Sequence, residues 1–335
     1  MVFDLDVEDL AATRFAISPL SETTRAILLL ANPGRSAVNR PWVRWALAEL
    51  ERRPLRLPRV WPLMVNGLPS YPEFLVPAPA VKGPSIDAEL ARLRATPAEP
   101  VRASLRRVFG DYPWPDSATE LFKRPTESLA EIAAELAEYH ERLIRPHWER
   151  IRPVLDADIG YRSRLLADGG ARSLFSDLHP DLRWSGRTLT MTDTDEGLSV
   201  FRVALGPDGV VLMPSVFNWP LVSYSKATST QTTLLYPARG TATVWESLDA
   251  ACGAATPGAA EELLGSARAR LLVALRSPAT TTALARRLDV TPSAVSQHLA
   301  VLRRGGLVDR RRTGRTVLYQ TSELGLALLA GGRPP

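Results

Sequence analysis

Two groups of side chains near the end of the chain have the types and spacing to contact nucleic acid. Ser293, Ser296 and Gln297 are short hydrogen-bonding residues that fall within about one helical turn of each other. A glutamine can bond an adenine edge through two hydrogen bonds, and serines suit base edges or phosphates. Arg304 follows about two turns later. Arg310, Arg311, Arg312 and Arg315 then crowd around Thr313-Gly314. Guanidinium groups at this density gain little from folding and suit phosphates or a narrow minor groove.

Other residues invite sharper chemistry and support it less well. Asp177, His179 and Asp181 form a D-x-H-x-D triplet, which reads as a polar turn before it reads as a metal or catalytic site. His140 and His147 lie seven residues apart beside Glu141 and Glu149, but Pro146 interrupts the helix that would bring them to one face. Both are expected to pack or to be solvated. Cys252 is the sole cysteine, so no disulfide forms within one chain. No base adjoins it to lower its pKa, and it is read as a passive thiol. No G-x-G-x-x-G, P-loop or G-x-S-x-G occurs. No catalytic residue, metal ligand or cofactor is assigned.

The serines and the glutamine need a helix, and the sequence supplies one over 291–304. Thr291-Pro292 caps and opens it. At 100° per residue, Val295, Leu299 and Leu302 fall at about 0°, 40° and 340°, one narrow packing face. Ser293, Gln297, Ala300 and Arg304 lie on the opposite face, with Ala294 and Ser296 on its shoulders. His298 sits toward the flank. The expected DNA-contacting set on this helix is therefore Thr291, Ser293, Ala294, Ser296, Gln297 and Arg304.

The neighbouring stretches complete the framework. A helix from Glu261 carries a stripe of Leu264, Ala267, Leu271, Leu272 and Leu275, ended by Ser277-Pro278. Thr280 to Thr282 caps a second helix through Leu288, and Asp289-Val290-Thr291 is the turn. Gly305-Gly306 stops the third helix. Leu307-Val308 opens a hairpin over 309–320, with Val317 and Tyr319 on one side. Helix, turn, helix and basic hairpin make a winged helix-turn-helix, a module that places one helix in the major groove.

The stretch TPSAVSQHLAVLRRGGLV, followed by a basic wing ending in a tyrosine, resembles the ArsR family of winged-helix bacterial repressors. The resemblance covers residues 261–330 and implies a dimer whose effector-free form represses. FAISPLSETTRAILLL near the N-terminus looks like the uncharacterised N-terminal domain of long actinobacterial members, and it implies no ligand. Metalloid sensors of the family carry paired cysteines at the start of the second helix, where this chain has SPATTTALARRL. Zinc sensors use His and acidic residues on the terminal helix, which here reads ELGLALLAGG. Neither family metal site is present in the sequence.

Charge separates this module from the rest. Residues 261–335 hold twelve arginines against five acids, a net +7, and the first 260 residues hold 29 basic and 31 acidic groups, a net −2. Such asymmetry is the footprint of nucleic-acid binding on a neutral body. The N-terminal region reads as helical through Leu165, except for residues 54–84. That segment holds eight prolines among aromatic and aliphatic residues and is expected to pack irregularly. The tryptophans and tyrosines of 42–75 are core first and ligand pocket second. From about 181 the character turns to strands, with Gly206-Pro207-Asp208-Gly209 as a hairpin turn.

The expected fold is α+β: a mainly helical N-terminal domain with an antiparallel β region (1–250), then a winged helix-turn-helix (258–335). The MVFDLDVEDL start is no secretory signal, and no apolar run approaches the roughly 18 residues of a membrane span. The reading is a cytoplasmic, dimeric, sequence-specific repressor that binds double-stranded DNA at a pseudo-palindromic operator. The N-terminal domain would dimerise, sense an unidentified small-molecule effector, or both. The alternative is an enzyme or ligand-binding protein with an auxiliary DNA-binding tail.

Overall fold

The computed structural model describes residues 2–5, 7–191, 202–204, 209–225, 231–245, 248, 261, 263–276, 278–288, 290–313 and 316–329. Two compact units emerge: residues 1–35 with 43–244, and residues 36–42 with 245–335. Helices dominate both, and the architecture is α+β. Among the described residues no helix is long and apolar enough to cross a membrane.

The first unit opens with β1 (Val2–Asp4), α1 (Val7–Ala12), β2 (Arg14–Phe15) and α2 (Pro19–Ala31). Ser18 is extended, and its hydroxyl accepts from the Ser21 amide at 2.9 Å. Pro19 takes a position whose N–H would have no partner anyway. Next comes α3 (Arg40–Arg52). The proline-rich stretch then holds only α4 (Val60–Met64) and a 3₁₀ turn at Glu73–Leu75, because proline cannot sustain a helix ladder. Phe74 and Leu75 are nonetheless buried, so this stretch packs. The helices α5 (Ile86–Arg94), α6 (Ala98–Phe109) and α7 (Asp116–Lys123) follow.

The long helical arm departs from its local sequence signals at two points. Its first part, α8 (Pro125–Tyr139), starts one turn before the capping-box pattern at Ser128. Proline suits the first turn, and Ser128 is buried inside the helix, so it caps nothing. At the other end, Pro146 does not interrupt the helix. A π-turn over His140–Ile144 leads directly into α9 (Arg145–Leu178), with Pro146 in the first turn of α9. The arm bends instead at Gly170, whose φ is 66°.

Two four-stranded sheets complete the unit, built from β3 (Leu182–Ser185), β4 (Thr188–Met191), β5 (Arg202–Ala204), β6 (Val210–Ser215), β7 (Ser223–Ser225) and β8 (Thr232–Pro237), followed by α10 (Thr241–Val244). One sheet runs β3-β4-β1-β5 and the other β2-β6-β8-β7. The strands on either side of the expected 206–209 turn find other partners, β5 pairing with β1 and β6 with β2 and β8. Residues 205–208 lie outside the described residues. Leu174, Phe175 and Leu178 of α9 pack on Phe3, Leu189, Leu212, Leu234 and Tyr236. Val211, Met213 and Leu235 pack with Ala16 and Ala78, so β6 is buried along its whole length.

The second unit contains α11 (Ser266–Ala274), α12 (Thr281–Leu288), α13 (Pro292–Arg304), β9 (Val308–Thr313), β10 (Thr316–Thr321) and α14 (Glu323–Leu329). Gly265, with φ of 80°, separates α11 from the residues before it. The stripe expected from Leu264 is therefore reset. Ala269, Leu271, Leu272 and Leu275 are buried, while Ala267 is exposed. Residues 36–42 belong to this unit. The Ser36 hydroxyl accepts from the Asn39 side chain at 2.8 Å. Asn39 in turn accepts from the Trp245 indole at 2.7 Å, and the Trp42 and Trp245 rings lie 6.4 Å apart.

Candidate nucleic-acid interface

The candidate surface is carried by α12, α13 and the β9-β10 ribbon. The Thr280 hydroxyl accepts from the Ala283 amide at 3.1 Å and caps α12. Leu284 and Ala285 are buried, whereas Arg286 and Arg287 are exposed. Of the turn that follows, Asp289 lies outside the described residues. The Thr291 hydroxyl accepts from the Ala294 amide at 3.3 Å, and Pro292 begins α13.

The buried set of α13 is Val295, Leu299 and Leu302, packed with Leu271, Leu272, Leu275 and Leu284. Each is almost fully removed from solvent. A helix held so tightly on one face has no freedom to roll, which fixes what the other face presents. Thr291, Ser293, Ser296, Gln297 and Arg304 are exposed, and Ala294 and His298 are half-buried. The structure thus gathers the polar residues expected on the outer face and adds Arg303, also exposed.

The C-terminus of α13 is fixed as firmly as its start. Gly306 adopts φ of 69°, the left-handed region glycine favours. The Leu307 amide donates to the Leu302 carbonyl at 2.9 Å and the Gly306 amide to the Arg303 carbonyl at 3.0 Å. These two bonds form a Schellman motif that ends the helix and redirects the chain into β9. Val308, the first residue of that strand, is buried against α13.

In the ribbon, Arg310 stands opposite Tyr319, Arg311 opposite Leu318 and Arg312 opposite Val317. Successive strand residues alternate faces. Arg310 and Arg311 are both exposed, but they leave opposite sides of the ribbon rather than forming one cluster. Arg312 occupies its strand position with its side chain outside the described residues, and Arg315 lies wholly outside them. Asp309, opposite Gln320, is exposed at the base of the ribbon.

Ala279 exchanges two backbone hydrogen bonds with Tyr319, of 3.0 and 2.9 Å, and adds a short third edge to the ribbon. The Arg40 guanidinium reaches the Thr321 carbonyl at 3.3 Å. Gly325 is required by close approach, because a Cβ there would lie 2.4 Å from the Leu307 carbonyl oxygen.

Residues 263–311 match a family described as a helix-turn-helix domain. The C-terminal unit carries a helix-turn-helix domain. Residues 114–242 match a family of unknown function, DUF5937. No curated protein and no solved structure matches the chain. The helix-turn-helix domain supports a DNA-binding regulator rather than an enzyme.

Sequence reasoning passed over Arg286, Arg287 and Arg303. The signal was present: the same angular count applied to 281–288 sets Arg286 opposite Leu284, at about 200°, and Arg287 on the flank, at about 300°. The histidines are packing residues. His140 Nδ1 lies 2.9 Å from the Thr23 hydroxyl, and His147 meets the Trp45 ring edge-on at 4.3 Å. Burial pushes both down to about 4. In the D-x-H-x-D triplet, Asp177 accepts from Arg162 at 3.0 Å. His179 Nε2 donates to the Pro220 carbonyl at 2.8 Å, and its Nδ1 accepts from the Asp181 amide at 3.2 Å. Cys252 lies outside the described residues.

Proposed function

We propose that the chain is a dimeric, one-component transcriptional repressor of the ArsR type that reads a pseudo-palindromic operator. The observation that carries this reading is the division of α13. Val295, Leu299 and Leu302 are committed to the core, and Ser293, Ser296 and Gln297 are exposed together near its N-terminus. Small polar residues fit the major groove and reach base edges, and Gln297 pairs with adenine. Thr291 and the half-buried Ala294 stand at the end of the helix that enters first.

Arg303, Arg304, Arg286 and Arg287 meet phosphates on either side, and the wing arginines Arg310, Arg311, Arg312 and Arg315 take the backbone or the adjacent minor groove. Because Arg310 and Arg311 leave opposite faces of the ribbon, an inserted wing contacts both walls of a groove. Two copies related by a two-fold axis would read half-sites about 34–36 Å apart, or a multiple of that spacing.

Metal does not control the switch in this reading. The residues that hold metals elsewhere in the ArsR family are replaced here, and an organic effector acting through the first unit takes their place. Genomic footprinting at moderate salt tests the proposal. A discrete protected site with two related halves supports it, and protection of no specific site refutes it.

A further inference from the structure

We infer that the first unit binds a small apolar carboxylic acid in a cavity walled by Tyr139. This deepens the regulator reading by naming the effector's chemistry, and only the effector role, not the binding, rests on that reading. The cavity measures about 500 Å³, within the range of about 300–1,000 Å³ typical of ligand sites. Leu47, Leu50, Leu57, Trp61 and Tyr139 are part of its wall, and Arg56 contributes a charge. Leu47 and Trp61 remain 45% and 39% exposed, so the apolar wall continues to the mouth.

The cavity is held open by polar bonds rather than left over by poor packing. The segment carrying Leu55, Arg56, Leu57 and Pro58 is clamped at both ends to one helical arm. At one end Glu135 accepts from the Val60 amide at 2.9 Å and from the Arg59 amide at 3.1 and 3.2 Å. At the other end the Arg142 guanidinium donates to the Arg53 carbonyl and, at 3.4 Å, to the Pro54 carbonyl. Tyr139 stands between them, four residues after Glu135 and three before Arg142. The segment is therefore tied to the arm on both sides of Tyr139 in sequence.

Two features of the helical arm stand next to this wall. The Tyr139 side chain is almost fully buried, and its hydroxyl has no hydrogen-bond partner among the described residues. The π-turn His140–Ile144 begins at the next residue. Such turns are rare in helices and concentrate at functional sites.

The apolar wall selects a hydrocarbon or aromatic body, and the exposed guanidinium of Arg56 selects an anionic group at the mouth. Carboxylate matches the flat fork of arginine. Leu47 and Leu50 belong to α3, the helix that begins with Arg40. A ligand changes DNA binding only through different affinities for the DNA-competent and incompetent forms.

Calorimetry on the full chain without DNA tests binding separately from the regulator reading. The probes are 1-naphthoate, octanoate and the neutral 1-naphthalenemethanol. At least one acid is expected to bind once per chain, and 1-naphthoate is expected to bind about three- to fivefold more tightly than the alcohol, as an exposed ion pair allows. Leu50→Trp, which fills the cavity, should abolish the heat while leaving the circular dichroism unchanged. Arg56→Gln, at an exposed position, should erase the preference for acid without weakening the alcohol, and it decides the matter even where the tryptophan variant fails to fold. Binding of neither acid overturns the inference, as does binding that is indifferent to both variants. A sedimentation change of the ligand-free protein caused by Leu50→Trp overturns it too, because the cavity would then belong to an interface between copies.

Discussion

The Thr321 hydroxyl donates to the Leu272 carbonyl at 2.7 Å, tying the end of β10 to α11. The Thr321 amide adds a second bond, to the Leu275 carbonyl at 3.0 Å. The side chain is fully buried, so the ribbon is anchored inside the core that also holds α13. The orientation of the ribbon relative to α13 is thereby set before any DNA arrives.

Thr321→Val keeps the shape of the side chain and removes the hydroxyl bond. Loss of one buried hydrogen bond costs about 1–2 kcal/mol. The expected result is a lower urea midpoint and faster amide exchange across β9 and β10. An unchanged exchange pattern would show that the ribbon is anchored elsewhere.

Substitutions on the outer face of α13 should divide into two kinds. Gln297→Ala is expected to relax preference at one base position, at a cost of roughly 1–3 kcal/mol. Arg304→Ala, Arg310→Ala and Arg311→Ala should each weaken binding to every sequence and reduce the salt slope by about one. Fluorescence anisotropy over a series of mutated sites and salt concentrations separates the two patterns. Equal losses at all sites for Gln297→Ala would remove its reading role.

Much of this domain could be read from local sequence. Thr291-Pro292 at the start of α13, Gly305-Gly306 at its end and the Val295, Leu299, Leu302 face are short-range signals, and each appears in the structure as expected. Local signals failed where a partner distant in sequence decided the outcome. Ser128-x-x-Glu131 has the form of a cap, but burial placed Ser128 inside a helix already begun by Pro125. Gly206 to Gly209 has the form of a hairpin, yet β5 and β6 find their partners in different sheets. The tie between residues 53–60 and the helical arm depends on bonds from Glu135 and Arg142 to residues 75 to 89 positions away, which no periodicity displays.

Gly325→Ala should destabilise the second unit. Its Cβ would sit 2.4 Å from the Leu307 carbonyl oxygen and 2.7 Å from the Thr321 methyl, and the former is backbone that must shift. Overpacking of this kind costs roughly 1–3 kcal/mol. Thermal unfolding with no loss in midpoint would show that α14 moves freely.

The first unit should carry a pH signature from Glu22. This carboxyl is fully buried, accepts from the Val216 amide at 3.0 Å, and is pushed up to about 7 by desolvation. An unfolded glutamate ionises near 4.5. Between these values the unfolded chain has released its proton and the folded chain has not, so rising pH favours unfolding. Stability from Glu22 is full below about pH 4.5 and lost as pH rises through about 7. His140 and His147, pushed down to about 4, act in the opposite sense as pH falls from 6.5. Glu22→Gln retains the acceptor and cannot ionise. Relative to the unmodified protein, its unfolding free energy should rise by roughly 3 kcal/mol between pH 4.5 and pH 7. A pH-independent difference would place Glu22 in contact with water.

The central claim is that α13 and the ribbon read a specific duplex sequence. Selection of the full chain against a random duplex library, at about 0.15 M salt, tests it most directly. The expected outcome is an enriched two-fold motif bound at least about 10³ times more tightly than random duplex. Uniform retention of the library, or enrichment that disappears without yielding a motif, would contradict it.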